Sequence, residues 1–113
     1  MKQESTIDRV PRMTGAGAHK DVQIISEDGQ VDPVDVDIYQ GQEAIWFAHN
    51  NQAGATIEFS SADGCPFYES VFNVPAGGTV SSGLFRSDAK SKRYKYTVKG
   101  SAGQNDPGVI IHN

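Results

Sequence analysis

Alternation with a period of two constrains this chain more than any other feature of it. Val34, Val36 and Ile38 alternate with Asp35 and Asp37, and Tyr94, Tyr96 and Val98 alternate with Lys95, Thr97 and Lys99. Val22 and Ile24 stand between Asp21 and Gln23 in the same way. Successive side chains of a β-strand point to opposite faces, so each segment has one face to bury and one to wet. No stretch of the chain carries a helical period of comparable strength. The sequence therefore has to pair strands and stack two sheets.

Turn chemistry divides the chain at short intervals. Asp28-Gly29 favours a positive φ, Gln40-Gly41 turns the chain before Glu43, and Pro75-Ala76-Gly77-Gly78 turns it before Thr79. Twelve Gly and five Pro in 113 residues fit many tight connections. The spacing predicts strands at 21–26, 34–38, 43–49, 55–60, 79–84, 94–99 and 109–111. Ile45, Trp46 and Phe47 are consecutive and apolar, which predicts a central strand. Residues 61–72 read as the longest irregular connection. The expected fold is an all-β, seven- to eight-stranded Greek-key β-sandwich spanning residues 19–113, preceded by a flexible N-terminal tail over 1–18.

Charge and cysteine content narrow the function classes. A net charge of −4 argues against sequence-independent nucleic-acid binding, which needs an excess of Lys and Arg. Arg86, Lys90, Lys92, Arg93, Lys95 and Lys99 do form a basic cluster beside Tyr94 and Tyr96. Alternation puts both Tyr on the opposite face from Lys95, so the cluster reads as a polar edge, or as a patch for residues 1–59 of a second molecule, which carry ten acids against four bases. The expected partner is a protein or a second copy of the chain, with no nucleic acid and no membrane. Cys65 is the one cysteine, so no internal disulfide and no two-Cys or four-Cys metal site can form. No apolar run is long enough to span a bilayer. The polar first twenty residues contain no signal-peptide stretch, which fits a cytoplasmic chain or one whose export signal has been removed.

Four pieces of the sequence, in this order, resemble the cupredoxin superfamily of plastocyanin- and azurin-like domains. They are Val34 followed by Tyr39-x-Gly41-Gln42-x-x-x-Trp46, the Asn50-Asn51 turn, the segment from Val74-Pro75 to Thr79-Val80, and Tyr94-x-Tyr96. The resemblance implies a copper site made of a His after the Asn-rich turn, a Cys, a second His and a Met near the penultimate strand. A thiolate and imidazoles with a weak axial thioether are what hold type 1 copper. In this chain the first position falls at or beside Ala55 and the Cys position at Val98. The loop Lys99–Pro107 has no His and no Met. The resemblance therefore implies the fold without the copper, and no cofactor is expected.

The remaining chemistry-bearing residues form no recognised pattern. His49, Cys65 and His112 are the candidates for a non-standard metal or redox site, with surface or capping roles as the plainer reading. Cys65 has no base near it in sequence, so nucleophilic catalysis has no visible partner, and the chain is not expected to be an enzyme. Asp32, Asp35 and Asp37 lack the converging oxygens a calcium site requires. The loop end of the sandwich, at 50–54, 75–78 and 100–108, is the natural contact surface.

Overall fold

A computed structural model of the chain describes residues 19–48, 53–60 and 64–113. Every regular element among them is a strand. They are β1 (His19–Ile24), β2 (Val31–Asp32), β3 (Asp35–Tyr39), β4 (Glu43–Ala48), β5 (Ala55–Phe59), β6 (Val71–Val74), β7 (Thr79–Leu84), β8 (Arg93–Lys99), β9 (Gln104–Asn105) and β10 (Gly108–His112). The smaller sheet runs β2-β1-β4-β7 and the larger β3-β10-β8-β5-β6, with β9 paired to β8. Both sheets are mixed, because β1 lies parallel to β4 and β3 parallel to β10 while the other pairs are antiparallel.

The alternation becomes burial as expected. Val36 and Ile38 are buried between exposed Asp35 and Asp37, and Tyr94, Tyr96 and Val98 are buried while Lys95 and Lys99 face water. β4 is a central strand whose Ala44, Trp46 and Ala48 point into the sandwich. Trp46 sits at the centre of an aromatic cluster with Phe59, Phe72 and Tyr96 at ring separations of 5.4–6.4 Å. Its indole N–H donates to the Tyr96 hydroxyl at 3.1 Å, so the two buried polar groups satisfy each other.

Three strands lie outside the segments that the sequence predicts. β6 falls in the region read as loop and turn, although Phe72 and Val74 are buried and Val71 and Asn73 exposed. Four residues ending at Pro75 carry too little pattern to stand out, and the pairing of Ala55–Glu58 with Val74–Val71 makes them a strand. β2 and β9 are two residues each and exist only through their partners. Val34, expected on the buried face, is 62% exposed because it precedes β3 in the bend after Pro33. Neither the Cys65 loop nor residues 87–90 form a helix; Ala89 N–H donates to the Arg86 carbonyl in a single turn.

Candidate functional site

The end of the sandwich where the resemblance would put copper is formed by the start of β5 and the end of β8. Ile57 pairs with Val98, Thr56 with Lys99, and Ala55 with Val74. Val98 is completely buried, and Ala55 packs against the same core. Beyond Val98 the chain closes into a hairpin, with Val98 opposite Asn105, Lys99 opposite Gln104, and Gly100 N–H donating to the Gly103 carbonyl at 2.8 Å.

The β1–β2 turn clamps this hairpin. Ala102 N–H donates to the Glu27 carbonyl at 2.8 Å, and Asn105 Nδ2 to the Asp28 carbonyl at 2.8 Å. The Ser101 hydroxyl donates to the Glu27 carboxylate. Backbone meets backbone so closely that a Cβ on Gly100 would lie 2.1 Å from the Glu27 carbonyl oxygen. One on Gly29, whose φ is +86°, would lie 2.4 Å from the Val98 carbonyl oxygen. Gly29 was visible in the sequence as a turn residue and Gly100 as the start of a loop, but nothing in the sequence says that the two segments touch.

Of the candidate residues, His49 lies outside the described residues; β4 ends beside it at Ala48. His112 is at the far end of the sandwich, because it pairs with Tyr39 and the Tyr39–Gln42 turn leads into the start of β4. Six strand residues separate those two ends by about 17 Å. His112 Nε2 is 2.8 Å from Asp37 Oδ1, and its ring stacks on Tyr39 with centroids 4.2 Å apart. Cys65 also belongs to the far end, since Arg86 N–H donates to the neighbouring Pro66 carbonyl just beyond β7. Its Sγ donates to the Glu69 carbonyl at 3.2 Å. Burial pushes the thiol above its ordinary pKa, against smaller downward pulls from the Phe67 N–H and Arg86. Among the described residues, no three of His, Cys, Asp and Glu converge as metal ligands do.

The basic cluster is largely answered within the molecule. Arg93 reaches Asp35 at 3.0 Å, Lys99 reaches Glu58 at 3.1 Å, and Arg86 reaches Asp88 at 3.5 Å. Lys92 lies over the Tyr94 ring at 4.9 Å. Tyr94 and Tyr96 are buried, so the two tyrosines of the basic strand are withdrawn from any nucleobase; Tyr39, exposed on the same sheet, already stacks on His112. Asp35 and Asp37 are engaged by Arg93 and His112 and form no calcium cradle.

A shallow groove of about 350 Å³ opens at the far end, lined by Tyr68, Leu84 and Phe85 on its apolar side and by Gln40, Ser87 and Asn113 on its polar side. No described helix is long and apolar enough to cross a membrane.

No family model matches the chain, and no curated protein is similar to it in sequence. Among solved structures, the chain is similar to an amicyanin variant in its reduced Cu(I) form at pH 4. The two share 12% identity and a TM-score of 0.53 over 81% of this chain and 80% of the other. A likeness at that identity is one of fold: this is a cupredoxin-like all-β sandwich.

Proposed function

We propose that the chain is a copper-free cupredoxin-like binding or assembly module, whose partner is another protein or a second copy of itself. The observation that carries this reading is Val98. Where the resemblance places a thiolate ligand, this chain has an aliphatic side chain with no exposed surface. The loop that follows supplies no imidazole or thioether and is clamped to the β1–β2 turn. Among the described residues, a soft cation bound by nitrogen and sulfur finds no ligand there. A rigid two-sheet scaffold with exposed loops and faces is left, which suits recognition more than electron transfer.

The test is metal content and titration of the full chain with Cu(II) and Zn(II), free of any affinity tag. The expected result is no stoichiometric metal and no visible thiolate-to-copper absorption. One tightly bound equivalent that disappears in His49→Ala, Cys65→Ser or His112→Ala would overturn the reading in favour of a non-standard metal or redox site.

A further inference from the structure

We propose that the outer face of the smaller sheet docks a partner that presents basic side chains around an apolar centre. This deepens the binding-module reading and rests on it. Val22, Ile24, Ala44 and Trp46 point inward and are buried, so their alternates point out. On that outer face Ile45 stands between Asp21 and Ser81, and Phe47 between Gln23 and Thr79. Both are half-buried between their neighbours, and no described strand packs over them. Ile25, next in the same alternation, is 46% exposed. The result is an apolar ridge along β4, an inner strand of a sheet over whose outer side no described strand packs.

Charge says what kind of partner fits. Asp21, Asp32 and Glu43 rim the ridge, and the strand positions of this face carry no Lys or Arg. Lys20, on the inward alternation, reaches away to the Asp37 carbonyl at 3.0 Å. The base here is His19, 3.4 Å from Asp21. The larger sheet is the opposite case, because its outward Asp35, Asp37 and Glu58 each meet a basic side chain across the strands. Glu43 accepts from the Ser81 hydroxyl, but no Lys or Arg on this face answers the three acids, and acids around an apolar ridge favour a complementary basic rim. Stacking this face on the same face of a second copy would set acid against acid, which disfavours self-association here.

The experiment is an amide-shift titration of the full-length labelled chain with a synthetic peptide alternating Lys and Leu, beside a control peptide with Ser in place of Leu. Shifts are expected at residues 21–23, 45–47 and 79–81. Affinity is expected to fall about tenfold or more for the Ser peptide, for Phe47→Ser, and for Asp21→Asn combined with Asp32→Asn. Trp46 fluorescence reports whether each variant is folded, and Ile45→Thr serves if Phe47→Ser is not. Shifts spread equally over Asp35, Glu58 and Asp106, or Ser-peptide binding as tight as Leu-peptide binding, would overturn the proposal. Absence of copper together with a failed titration would remove this surface and leave the module reading standing. Tight copper binding would remove the module reading whatever the peptide does.

Discussion

The two ends of this sandwich are closed by different means. At the Val98 end, one turn presses on another through backbone alone, with Gly29 and Gly100 leaving no room for a Cβ. At the opposite end, side chains do the joining. Asn113 Nδ2 donates to the carbonyls of Ser87 and Ala89, and Gln40 Nε2 donates to Asn113 Oδ1 at 2.8 Å. A backbone closure tolerates no added atom, whereas a side-chain closure loses one bond at a time. The first kind makes a rigid end, and it stands where the resemblance would place metal chemistry.

The largest effect is therefore expected at Gly100. Gly100→Ala sets a methyl 2.1 Å from the Glu27 carbonyl, so the hairpin and the β1–β2 turn must separate. A loss of about 3 kcal/mol or more is expected in urea unfolding followed by Trp46 fluorescence. Gly29→Ala adds a positive-φ penalty to a similar clash and should cost as much. Asn113→Ala removes three bonds at an exposed residue and should cost about 1 kcal/mol, with faster amide exchange confined to residues 85–92 and 110–113. Equal costs for Gly100→Ala and Asn113→Ala would erase the distinction between the two ends.

This contrast explains why the sequence disclosed some parts of the molecule and not others. Strands with alternation over five or more residues, such as β3 and β8, announce themselves, because burial follows directly from the period. β6 is four residues, and β2 and β9 are two; they owe their existence to partners far along the chain. That Ala55 and Val98 stand where the resemblance would put a His and a Cys could be read from residue identity. The clamp between Glu27–Gly29 and Gly100–Asn105 could not, because it joins segments about 75 residues apart largely through backbone groups that every residue possesses. The acids of β3 and bases of β8 were visible as opposite charges, but their pairing across β10 depends on strand order.

Cys65 tests the side-chain end more gently. Burial raises its pKa above the ordinary 9.0, so the folded state holds the thiol proton more tightly than the unfolded state does. The contribution to stability is complete below pH 9.0 and declines as pH rises past it. At pH 8 the folded chain should react with a disulfide reagent several-fold more slowly than the chain in urea. Equal rates would mean that the Cys65 loop opens freely, and that this end is not held by its side chains.

The smallest effects belong to the cross-strand ion pairs, and they rank in a way that sharpens the same comparison. Lys99 and Glu58, both more than a third exposed, meet near the clamped end, where the backbone already fixes the strands. Arg93 crosses over Gly108 to Asp35, with both Nε and Nη2 3.0 Å from Oδ1. A double-mutant cycle on Lys99 and Glu58 should give no more than about 0.5 kcal/mol, falling with added salt. The Arg93–Asp35 cycle should give more, up to about 1 kcal/mol, because two donors share one acceptor and the guanidinium lies flat over a glycine. A larger coupling for Lys99–Glu58 would mean that the clamped end depends on its side chains after all, and that its glycines follow from that packing and do not cause it.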